Sequence, residues 1–72
     1  MVTMKKEILV KFGQKVRGFR KKLGLSQEEL AARAGVHRTY IGMLERAEKN
    51  ITLENIGKIA RALRIPPEEL VK

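Results

Sequence analysis

The sequence has no cysteine and no aspartate, and it holds a single histidine, His37, and a single serine, Ser26. Structural zinc sites draw on several cysteine or histidine ligands, and nucleophilic hydrolysis needs a nucleophile, a base and an orienting acid within reach of one another. Neither set can be assembled from these residues, so no catalytic activity, metal or cofactor is expected. Long apolar runs are missing as well. Nothing approaches the roughly 20 residues that span a bilayer, and the N-terminal MVTMKKEILVKFG is too short in apolar residues for a secretory signal. A soluble, cytoplasmic protein without a membrane partner is the expectation.

Acidic charge is scarce too: 8 Glu against 16 Lys and Arg, a formal net charge of +8. A chain so charged favours a polyanion as partner. The excess is uneven, because 12 of the basic and 5 of the acidic side chains lie in residues 1–49, against 4 and 3 in residues 50–72. The C-terminal third is therefore freer to meet another protein. At 72 residues the chain is one domain with little core to spare.

What is present is helical. From about Thr3 to Leu23, the apolar residues Ile8, Leu9, Phe12, Val16, Phe19 and Leu23 recur at threes and fours, the spacing of one helix face. Ser26-Gln27-Glu28-Glu29 reads as a capping box that starts a second helix, with Leu30, Ala31 and Ala34 inward and Gly35 as its stop. A third helix, Arg38 to Arg46, offers Ile41 and Leu44 to the core. Thr52 is the expected N-cap of a fourth helix burying Leu53, Ile56, Ile59, Ala60 and Leu63. Pro66-Pro67 ends that pattern, and Pro67 suits the first position of a short last helix through Leu70 and Val71. No strand signal and no repeat occur.

Two short helices joined at Gly35, the second exposing polar side chains, meet the requirements of a helix-turn-helix over about 26–46. The string QEELAARAGVHRTYIGMLER strengthens the case, since Ala31, Gly35, Val36 and Ile41 stand where two crossing helices must approach closely. Through Gln27, Leu30, Ala31, Gly35, Val36, Ile41 and Glu45, the sequence resembles the Cro/repressor-type helix-turn-helix family, from Phe12 to about Leu70. Within it, FGQKVRGFRKKLGLSQEELA, HRTYI and ERAEKN are most similar to the controller proteins of restriction-modification systems.

The resemblance implies an all-α, five-helix, repressor-like fold and a homodimeric transcriptional regulator acting on a palindromic operator in its own promoter. Double-stranded DNA and a second copy are the implied partners, with transcription machinery as a further candidate. It also implies that Arg38, Thr39 and Tyr40 face the major groove. Chemistry agrees for two of them: the Arg38 guanidinium suits the O6 and N7 acceptors of guanine, and Thr39 offers a hydroxyl and a methyl. Tyr40 has two readings, packing against the first helix or lying against DNA. Met43 also has two, contact with a thymine methyl or core filling.

Gln27 resembles the family's phosphate-contacting glutamine at a helix N-terminus. His37 is placed to cap the third helix or donate to phosphate. Arg46, Lys49 and Asn50 resemble backbone contacts, which fix register without reading sequence. By the same resemblance, Arg20 and Glu45 form a partly buried structural ion pair. A dimer surface is expected in residues 51–72, with Ile51, Leu53 and Ile65 at or near a two-fold interface.

Two departures stand out: Ala47 occupies the place of a helix-ending glycine, and Gly42 lies inside the third helix. An interior glycine costs about 0.8–1.0 kcal/mol relative to alanine, so Gly42 needs a compensating reason, such as close approach of a neighbouring backbone. The rival readings are a phage-type repressor or antitoxin on the same fold, and a basic nucleic-acid-binding or interaction module without sequence preference.

Overall fold

The computed structural model describes residues 5–72, which form five helices: α1 (Lys6–Lys22), α2 (Gln27–Ala34), α3 (Arg38–Glu45), α4 (Leu53–Leu63) and α5 (Glu68–Val71). No strand occurs among the described residues. The expected start of the first helix near Thr3 lies outside them; α1 is described from its extended N-cap, Lys5.

Local chemistry sets most of the boundaries. The Ser26 hydroxyl accepts from the Glu29 N–H at 3.0 Å and the Glu29 carboxylate accepts from the Ser26 N–H at 2.8 Å, so both halves of the capping box are made. Thr52 caps α4 by accepting from the Asn55 N–H at 3.1 Å. Gly35 closes α2 in the left-handed conformation, φ 71°, and the Val36 N–H then reaches the Ala31 carbonyl at 3.0 Å. Pro67 stands one position earlier than expected, as the N-cap of α5 rather than its first residue.

The core is built from Phe12 and Val16 of α1, Leu30 and Ala31 of α2, Ile41 and Leu44 of α3, and Ile59, Ala60 and Leu63 of α4, closed by Leu70 of α5. Three apolar expectations are corrected. Ile8 and Leu23 of the α1 pattern are exposed, and Leu53 of the α4 pattern is 76% exposed. The inward stripe of α1 runs instead through Leu9, Phe12, Gly13, Val16 and Arg20, so its last core-facing position belongs to a charged residue. Phe19 is only half-buried, with the Lys22 ammonium 5.3 Å from its ring centre. Leu25, in the α1–α2 turn, is buried although no helical period marks it.

The expected close backbone approach occurs at a different glycine. A Cβ on Gly13 would sit 2.4 Å from the Leu44 carbonyl oxygen and 3.0 Å from that of Glu45. Here the backbone of α1 lies directly on the end of α3, which fixes the angle at which α3 leaves the body of the domain. At Gly42 the neighbours are the movable ends of Arg46 and Gln27, not backbone.

The end of α3 does differ from a glycine-closed helix. Ala47 adopts φ 59°, the Glu48 N–H donates to the Met43 carbonyl at 2.8 Å, and the Ala47 N–H donates to the Leu44 carbonyl at 3.1 Å. This is the glycine-type closure made by alanine, with Lys6 Nζ donating to the Ala47 carbonyl at 3.0 Å. Arg64 closes α4 in the same conformation, φ 60°.

Candidate nucleic-acid interface

Gly35 turns the chain between α2 and α3, and Val36 packs against the core beside it. His37 then caps α3: its Nδ1 accepts from the Thr39 N–H at 3.1 Å, which makes Nε2 the ring's N–H donor. Capping and donation to an anion are thus compatible roles for His37. Ile41 and Leu44 anchor the inner side of α3, so Arg38 and Thr39 face solvent at its first turn. The first turns of α2 and α3 flank an open concavity of about 610 Å³, rimmed by Gln27, Glu28, Arg38, Thr39 and Arg46 and floored by Arg20 and Gly42.

Beneath that concavity lies the Arg20–Glu45 pair. Arg20 Nε donates to Glu45 Oε2 at 2.7 Å and Nη2 to Oε1 at 2.9 Å, while Nη1 donates to the Leu25 carbonyl at 2.9 Å. The side chains are 11% and 4% exposed. Glu45, through its hydrogen bonds, raises the Arg20 pKa above its usual value, against the opposing effect of burial. The pair therefore joins the end of α1, the α1–α2 turn and the end of α3 into one unit, as expected of a structural pair.

Gln27, half-buried on the rim of the concavity, also serves the ion pair: its Nε2 donates to Glu45 Oε1 at 3.1 Å. Tyr40 is half-buried against the core and its hydroxyl accepts from Asn55 Nδ2 at 3.0 Å. That contact is to α4, so the Tyr40 hydroxyl ties α3 to α4. Asn55 escaped the sequence reading because nothing local marks a side chain fifteen residues away as its partner.

These are the elements and spacing of a helix-turn-helix, and the family model of that description matches residues 16–70. The chain belongs to the helix-turn-helix family. It is 46% identical over 69 residues to the control protein C.BamHI of Bacillus amyloliquefaciens, an alignment covering 94% of this chain and 85% of the relative. The crystal structure of the restriction-modification controller C.AhdI from Aeromonas hydrophila superposes with a TM-score of 0.85 at 53% identity, over 86% of this chain and 94% of that one. The P22 c2 repressor, solved in complex with a synthetic operator, superposes with a TM-score of 0.79 at 34% identity, over 85% and 92%. The resemblance to controller proteins read from the sequence therefore holds, and the chain is a DNA-binding regulator rather than an enzyme.

In the frame of the helix-turn-helix, α3 is the second helix, and the expected contacts fall into two groups. Arg38 and Thr39 are exposed at its start, and Met43, one turn on, is half-buried. Arg46, Lys49 and Asn50 are exposed beyond its end, where Arg46 Nε donates to Glu48 Oε1 at 3.0 Å. Arg38 Nη1 donates to Glu28 Oε2 at 2.9 Å, a pairing the sequence reading missed. The two residues are ten apart in sequence, and only the crossing of α2 and α3 brings them together.

Of the three residues expected at a dimer surface, Ile51 is corrected. It is 2% exposed, sealed in the domain's own core, and has no area to offer a partner. Leu53 is the most exposed large apolar side chain among the described residues, and Ile65 is half-buried. No helix among the described residues is long and apolar enough to cross a membrane.

Proposed function

We propose that this chain is the controller protein of a restriction-modification system, which binds as a homodimer to a palindromic operator in its own promoter. The observation that carries this reading is the exposed first turn of α3, where Arg38 and Thr39 stand clear of the body beside the N-terminus of α2, in a chain close to C.BamHI over nearly its full length. Arg38 and Thr39 read base edges in the major groove, with Met43 against a thymine methyl. The backbone amides at the start of α2, the His37 Nε2–H, Arg46, Lys49 and Asn50 hold phosphates on either side.

Size supports the dimer. The molecule measures 28 × 23 × 19 Å, whereas half-sites on one face of DNA lie about 34–36 Å apart, so one copy reaches only one of them. Two copies joined through the Leu53 and Ile65 side of α4 and the α4–α5 turn extend far enough. A DNA-binding role at a promoter places the protein in the cytoplasm, where transcription machinery is within reach.

Footprinting on DNA upstream of the chain's own gene tests the reading. The expected result is a two-fold symmetric protected region occupied by two copies. Protection without symmetry, or by a single copy, contradicts the palindromic dimer.

A further inference from the structure

One acidic side chain sits in the middle of the face assigned to DNA. Glu28 is the second residue of α2, and its carboxylate holds Arg38 Nη1 at 2.9 Å across the rim of the concavity. The two side chains are 71% and 65% exposed, so the pair contributes little to folding. A carboxylate turned toward phosphates also weakens association. Its place on this face therefore calls for a role in recognition rather than in stability.

We propose that Glu28 is a positioning residue for base readout, which orients the Arg38 guanidinium and withholds it from phosphates. The proposal rests on the reading of Arg38 as a base contact. Arginine presents five N–H donors in a rigid fork. With Nη1 engaged by Glu28, the Nε and Nη2 edge is left for a ligand, two parallel donors matched to O6 and N7 of a guanine. Left alone, the long side chain would sample many rotamers and would close on whichever phosphate came near. Pairing with Glu28 narrows that choice and offsets the cation's attraction for DNA of any sequence, which widens the gap between specific and non-specific binding.

Other cationic groups near the concavity do not compete for Glu28. Arg20 is committed to Glu45 and Leu25, and Arg46 donates to Glu48. The cationic partner of Glu28 is thus Arg38 in particular.

The test uses the full chain and the duplex it enriches from a randomised pool, with every base pair of that duplex replaced in turn. Arg38→Ala is expected to lose about 5–100-fold preference at one G·C pair. Glu28→Gln is expected to lose at least about threefold at the same pair, to bind random duplex more tightly, and to steepen the salt dependence. The double variant should be no worse at that pair than Arg38→Ala, and the urea midpoint of Glu28→Gln should stay at the wild-type value.

Full preference in Glu28→Gln overturns the proposal while leaving the Arg38 reading intact. So does an effect of Glu28→Gln that persists in the Arg38→Ala background, since Glu28 would then be reading a base itself. A pool that yields no preferred duplex, or an unchanged preference in Arg38→Ala, overturns both.

Discussion

Glu45 holds the end of α3 in place, because three hydrogen bonds from Arg20 and Gln27 end on its two oxygens. Removing it leaves the Arg20 guanidinium buried and without its counter-charge. Glu45→Ala is therefore expected to lose about 3–5 kcal/mol in urea unfolding, whereas loss of an exposed partner such as Glu48 should cost under about 1 kcal/mol. Glu29 gives a pH signature of a different kind. The hydrogen bond from the Ser26 backbone N–H, reinforced by the Ser26 side chain, lowers its pKa below the usual glutamate value. Because the folded-state value is the lower one, the stabilisation is complete above the unfolded value and is lost as pH falls through the folded value. The difference in unfolding free energy between wild type and Glu29→Gln should accordingly shrink on acidification below the ordinary glutamate range. A difference that stays constant with pH would contradict the capping box.

The elements respond most sharply where backbones touch or turn left-handed. Gly13→Ala drives a methyl into the Leu44 carbonyl, which has no room to yield, and should cost at least about 1–3 kcal/mol by urea denaturation. Gly42→Ala meets only the flexible ends of Arg46 and Gln27 and regains helix propensity, so it should be neutral or stabilising by up to about 1 kcal/mol. Arg64→Gly should stabilise by about 1 kcal/mol, since glycine holds φ 60° without the side-chain penalty. Similar losses for both alanine variants would refute the α1–α3 contact. The same elements show what could be read in the sequence. Ser26, Gly35 and Thr52 mark their boundaries because capping chemistry is local, falling within three or four residues of the terminus it serves. Ile8, Leu23 and Leu53 have helical spacing but stand at or near the ends of their helices, where fewer neighbours cover them. Arg20 takes an inward position that counting apolar residues passes over, and its place was reachable only through the family resemblance. Gly13 and Leu25 leave no periodic signal, since what matters is the neighbour that tertiary packing brings to them.

At the scale of the whole molecule, charge and shape divide the work. The basic excess lies before Asn50, with the face proposed for DNA, and the near-neutral remainder carries Leu53 at 76% exposure. Leu53→Glu should shift sedimentation from dimer to monomer at micromolar protein while leaving the helical circular-dichroism signal in place, because the side chain contributes almost nothing to the domain's own core. An unchanged dimer would move the interface elsewhere. Of the candidate site, the exposure of Arg38 and Thr39, the His37 cap and the Arg20–Glu45 pair were legible from sequence and resemblance, whereas the contacts of Glu28, Asn55 and Gln27 depend on how the helices cross. The central claim is that this face reads sequence rather than charge alone. Fluorescence anisotropy across a salt series, comparing duplexes from upstream of the chain's own gene with scrambled duplexes of equal length, tests it most directly. The account predicts binding at least about 10³-fold tighter to the upstream duplex at physiological salt, with both affinities falling as salt rises. Equal affinity for the two, with the same steep salt dependence, would contradict it.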